Sequence, residues 1–166
     1  MNESKFLIVL GIGNSVRMDD GAGIRVVERL SNDNTLKKLK ITFSFLNTGG
    51  LDILDEIDGY KRAIIVDAAD MPNQLKPGEI IHLTDLTKLA VDGIAGVSSH
   101  GIGLLSVLKY AKTGGYQTPE FIEIYGIQVK ETGYFSESLT SEVATGVNTL
   151  VERLKKYILV LFSDRK

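Results

Sequence analysis

The chain has 166 residues, 43% of them apolar and 24% charged, with a formal net charge of −2. These are ordinary globular values, which exclude a disordered chain and give no electrostatic reason to expect nucleic acid or an anionic membrane. Cysteine is absent, which removes disulfides, thiol nucleophiles and thiolate metal sites and fits a reducing compartment. Length predicts one domain over residues 1–166. The apolar run at 6–10 is interrupted by Gly11, too early for a signal peptide, and the run at 157–162 is far short of the ~20 residues that span a bilayer. A cytoplasmic protein without membrane insertion is expected.

In chain order, residues 6–10 read as a buried strand, followed by the turn Gly11-Ile12-Gly13-Asn14. Asp19 and Asp20 precede an apolar stripe of Ile24, Val27 and Leu30, so a helix is expected from near Asp20 to the loop at 31–35. Residues 40–46 form a second strand, and Asn47-Thr48-Gly49-Gly50 a turn. Leu51, Ile53, Leu54 and Ile57 then line a short helix that Asp58-Gly59 closes. A third strand covers 62–66, with Asp67 at its carboxyl end, and 79–83 is a short fourth strand. The stretch 84–99 is the longest irregular segment and leads to His100. A helix over 102–110 turns Leu104, Leu105 and Leu108 to the core, residues 121–129 form the last strand, and a helix over 140–162 buries Val143, Val147, Leu150, Leu154 and Ile158. Strands alternating with helices predict an α/β, three-layer α/β/α fold around a mostly parallel twisted sheet of about five strands.

Asp20, Asp67 and His100 are the candidate site. Asp20 follows the first strand, Asp67 ends the third, and His100 opens a helix. With strands one and three side by side, all three reach the carboxyl edge of the sheet, where open α/β folds bind ligands. Two carboxylates and an imidazole suit a divalent ion of intermediate softness, such as zinc or nickel, with positions left open. Each residue also has a plain structural role open to it. Asp19 or Asp20 can cap the first helix, and His100 follows two serines in a capping region. The Gly-Gly pair at 49–50 can simply permit a tight turn or can receive an extended peptide. Asn14 can hold the first loop through its side chain.

Other templates fail. Val16 stands where a dinucleotide fingerprint needs its third glycine. There is no phosphate-loop Gly-Lys-Ser/Thr, no HExxH and no Gly-x-Ser-x-Gly elbow. The only other histidine, His82, lies in the strand-like IIHL and reads as structural.

Taken together, LGIGNSVRMDDGAGIRVVE, NTGGLDIL, AIIVDAAD and VSSHGIGLLSVL resemble the hydrogenase maturation endopeptidases, the nickel-dependent processing proteases of [NiFe] hydrogenases. The resemblance covers nearly the whole length. It implies that Asp20, Asp67 and His100 take the three metal-ligand positions and are the catalytic residues. Family members often carry an acid two or three residues before the Gly-Thr pair; here Phe45-Leu46-Asn47 has none.

The resemblance implies an endopeptidase that removes the C-terminal extension of the hydrogenase large-subunit precursor once nickel is inserted, so that metal acts as a checkpoint. Its partner is that precursor and its metal is nickel, contributed by the substrate, with zinc or cadmium able to occupy the same donors. The bound ion would polarise the scissile carbonyl or activate water, with a carboxylate oxygen of Asp20 or Asp67 available as base. The competing readings are a noncatalytic nickel-sensing chaperone of the large subunit and a small-ligand or nucleotide-binding module on the same sheet edge.

Overall fold

The computed structural model describes residues 5–47, 50–84 and 104–164. The elements in chain order are β1 (Lys5–Ile12), α1 (Ala22–Asn32), β2 (Ile41–Leu46), α2 (Asp52–Ile57), β3 (Tyr60–Ala69), β4 (Ile80–Leu83), α3 (Leu104–Thr113), β5 (Phe121–Gln128) and α4 (Ser141–Ser163). The strands form one five-stranded sheet in the order β2-β1-β3-β5-β4. The first four run parallel, and the short edge strand β4 is antiparallel to β5.

The central strands are continuous apolar runs because both their faces are covered. Along β1, Leu7 and Val9 point to one face, and Ile8, Leu10 and Ile12 to the other. Ile64 and Val66 of β3 join the first set; Ala63 and Ile65 join the second. Over the first face lie α1, through Val26, Val27 and Leu30, and α4, through Val143, Val147, Leu150, Leu154 and Ile158. Over the second lie α2, through Ile53, Leu54 and Ile57, and α3, through Val107, Leu108 and Ala111. This is the expected three-layer arrangement, and β1 and β3 are neighbours as the candidate site requires.

Several boundaries differ from the sequence reading, the first at β1, which runs on through Gly11 and Ile12 because both pair with β2, so the expected turn begins only at Gly13. Residues Met18–Gly21 form a 3-10 turn, so α1 begins at Ala22 rather than near Asp20. Strand β3 does not stop at Val66: it stays paired with β5 through Asp67↔Gly126 to Ala69↔Gln128, so Asp67 lies inside the strand. Leu51 precedes α2 and is exposed rather than lining its buried face, because the helix starts only at Asp52. Residues 85–103, which include most of the segment read as irregular, and the Thr48-Gly49 pair fall outside the described residues, as do the side chains of Leu104 and Leu105. Among the described residues, no helix is long and apolar enough to cross a membrane.

Candidate functional site

Glycines bring the first loop down onto the sheet edge. Gly13 has a φ of 143°, and a Cβ there would stand 2.0 Å from the carbonyl oxygen of Asp20. At Gly23, a Cβ would lie 2.4 Å from the carbonyl oxygens of both Ile12 and Val66. Only a residue without a side chain lets the first turn of α1 sit this close to the ends of two strands. The result seats Asp20 beside the carboxyl ends of β1 and β3. Asn14 holds the turn as expected: its Oδ1 accepts from the Val16 N–H at 3.1 Å, and its carbonyl from the Arg17 N–H at 3.0 Å.

Asp20 and Asp67 are both buried. Gly21, not Asp20, is the N-cap of α1, and no side chain caps that helix, so the capping role does not account for Asp20. Asp67 shares a strand face with Ala63 and Ile65, the face that α2 and α3 cover. Its Oδ1 accepts from the adjacent Ala68 N–H at 2.8 Å. The structure thus places two of the three candidate residues near the carboxyl ends of neighbouring strands, Asp20 on the turn after β1 and Asp67 two residues before β3 ends. His100 lies outside the described residues, and among those described no group of three His, Asp or Glu side chains could hold a metal. The two carboxylates fit a divalent ion as oxygen donors and need a further ligand to complete its shell.

Sequence reasoning missed the work done by Asp19. Fully buried, its carboxylate accepts from the N–H groups of Lys130 at 3.0 Å, Glu131 at 2.9 Å and Thr140 at 2.7 Å. The Thr140 hydroxyl adds a fourth bond at 2.9 Å. The Asp19 N–H donates back to the Glu131 carbonyl at 3.2 Å. This residue ties the loop after β5 and the start of α4 to the acid-bearing turn. No local signal in the sequence announces these partners, which lie more than a hundred residues away.

His82 is structural, as its setting in IIHL suggested. Its Nε2 lies 3.0 Å from Glu123 Oε2, its Nδ1 3.2 Å from Arg153, and its ring stacks on Tyr125 with centroids 4.1 Å apart. Tyr125 and Tyr157 also donate to Glu123. Burial, reinforced by Glu123, pushes the Tyr125 hydroxyl well above its usual range and that of Tyr157 up to about 12, so both remain donors. Tyr125 packs on the α1 and α4 side, the opposite face of the sheet from Asp67.

Comparison with known proteins bears on the fold and the family. A family model described as hydrogenase maturation protease matches residues 24–157, a span that includes Asp67 and His100 and begins four residues after Asp20. The hydrogenase expression/formation protein HupD of Rhodobacter capsulatus is 30% identical over 138 residues, which are 83% of this chain and 64% of that protein. The chain therefore spans about two thirds of the length of that relative. Among solved structures, the [NiFe] hydrogenase maturation protease HybD from Thermococcus kodakarensis superposes with a TM-score of 0.70 at 27% identity, covering 91% of this chain and 97% of that one. The maturating endopeptidase HybD from E. coli shares the fold, with a TM-score of 0.68 at 24% identity over 89% of this chain and 88% of its own. A model match over most of the chain, with that fold beneath it, makes the protein a member of the hydrogenase maturation protease family.

Proposed function

We propose that the protein is an endopeptidase that removes the C-terminal extension of a [NiFe] hydrogenase large-subunit precursor after nickel insertion, with Asp20, Asp67 and His100 contacting the nickel that the precursor carries. The observation that carries this reading is the pair of buried carboxylates at the carboxyl edge of β1 and β3 in a chain of this family. The orientation of Asp67 adds support, since it faces the layer to which α3 belongs, and α3 begins four residues after position 100. A cytoplasmic setting accords with a chain that has no cysteine.

On this reading, Asp20 and Asp67 supply oxygen donors and His100 a nitrogen donor, a set that also accepts zinc or cadmium. The ion supplies Lewis-acid polarisation of the scissile carbonyl or an activated water. Asp19 keeps the acid turn fixed so that Asp20 need not reorganise when substrate arrives. The precursor's nickel is then both a recognition element and a gate. Without it the carboxylates have no ion to share with the substrate, and cleavage does not start.

The test is to incubate the protein with nickel-loaded and nickel-free precursor and follow intact mass. Loss of the C-terminal extension from the loaded form alone is the expected result. Stable binding of loaded precursor without cleavage would replace the endopeptidase with a nickel-sensing chaperone.

A further inference from the structure

Two of the most exposed large apolar side chains among the described residues stand together, Tyr134 at 69% and Phe135 at 88% exposure. They occupy the loop between β5 and α4, and that loop is firmly held. Ser136 bridges to Arg17, its N–H donating to the Val16 carbonyl at 2.9 Å and its carbonyl accepting from the Met18 N–H at 2.8 Å. Arg17 donates to the Thr132 carbonyl at 3.2 Å, and the Gly133 N–H donates to Glu131 Oε1 at 2.6 Å. Asp19 bolts down both ends through Lys130, Glu131 and Thr140. Val16, directly paired with this segment, is itself 44% exposed.

A loop with this many hydrogen bonds has little freedom to bury its aromatics by folding over. It presents them to solvent at a fixed offset from Asp19 and therefore from Asp20. Rigid aromatic side chains held in place before contact are the usual anchors of protein recognition, because little entropy is lost when they engage. The parallel bridge between Arg17 and Ser136 sets Val16 and Phe135, the residues that precede them, at adjacent positions on paired segments, next to the turn that carries the candidate ligand.

We infer that Val16, Tyr134 and Phe135 form a docking ridge for an apolar segment of the precursor polypeptide flanking the bond to be cut. This rests on the proposed function, since it takes the partner to be the precursor. The ridge supplies affinity without metal, and the carboxylates add the requirement for nickel. Docking and gating are then separable: an aromatic truncation weakens capture, whereas a change at the carboxylates blocks turnover.

The test measures binding of nickel-free precursor, which the proposed function leaves uncut, to wild type, Phe135→Ser and Val160→Ser. Val160 is exposed on α4, far along the chain from this loop, and serves as the control. Phe135→Ser is expected to bind about tenfold more weakly or worse, with an unchanged thermal melt, while Val160→Ser binds as wild type. With nickel-loaded precursor, Phe135→Ser should show a raised KM and a kcat within about twofold of wild type. Equal binding by Phe135→Ser, or no binding by wild type, overturns the ridge. So does a change confined to self-association in sedimentation, which would give the surface to a second copy of this chain. Phe135-independent binding with normal cleavage would overturn the docking assignment alone. Phe135-dependent binding without cleavage of loaded precursor would keep the ridge and remove the endopeptidase.

Discussion

Two neighbouring acids have separate tasks in this protein. Asp19 accepts four hydrogen bonds that fasten the loop after β5 and the start of α4 to the first turn. Asp20, buried beside it, is the acid proposed as a metal ligand. Asp19→Ala should therefore act through stability, costing about 2–4 kcal/mol in chemical denaturation because it strands four part-buried donors and leaves a hole where a fully buried side chain stood. Asp67→Asn should do the reverse: a melt close to wild type, with processing of loaded precursor lost. Gly13 is the third sensitive position. Gly13→Ala places a methyl against the Asp20 carbonyl at a φ that disfavours side chains, so it should displace Asp20 and abolish processing even where the fold survives. Retained cleavage by Gly13→Ala would argue that the turn does not position the site. Asp67 stood out as a candidate in the sequence because a charge at the end of an apolar strand is conspicuous, whereas the position of Asp20 suited a helix cap as well and the family resemblance singled it out. Asp19 was not legible, since its partners lie more than a hundred residues away and no local spacing announces them.

At the scale of elements, strands were easier to locate than their ends. The apolar stretch at 62–66 marked β3, but the strand continues through Asp67 to Ala69 because β5 supplies a pairing partner along that whole length. Pairing of that kind is a tertiary property. The fourth strand was visible as IIHL, yet its antiparallel sense depends on Gly78 and Glu79 exchanging backbone hydrogen bonds with Gln128. Helices α1 and α4 share one face of the sheet and are joined at its rim by Lys155 and Asp33, whose charged groups lie 2.6 Å apart. That hydrogen bond, helped by the Leu36 and Thr35 N–H groups, lowers the Asp33 carboxyl from 3.8 to about 2. A carboxyl lowered in the folded state contributes stability that is fully present above its unfolded value and disappears as pH falls through its folded value. Stability from this clamp should be lost between about pH 4 and pH 2, and Asp33→Asn should flatten that part of the acid-unfolding curve. Solvent screening at this half-buried surface pair limits the effect to about 0.5 kcal/mol.

For the whole molecule, the sheet with helices on both faces was legible from the alternation of apolar runs and helical stripes. The expectation of a site at its carboxyl edge came from the same pattern. What was not legible is how the two faces divide the chemistry. The His82, Glu123 and Tyr125 cluster lies on the α4 side, and Asp67 faces the α3 side. His82→Ala should accordingly lower the melting temperature by a few degrees, through loss of its bond to Glu123 and its stack on Tyr125, and leave processing intact. His100→Ala should remove processing. The most direct measurement of the central claim is anomalous diffraction from crystals of the protein soaked with nickel or cadmium. One ion is expected, with oxygen donors from Asp20 and Asp67 and a nitrogen donor from His100, each ~2.0–2.6 Å away. An ion held elsewhere, or one that touches Asp20 and Asp67 while His100 remains out of reach, would contradict it.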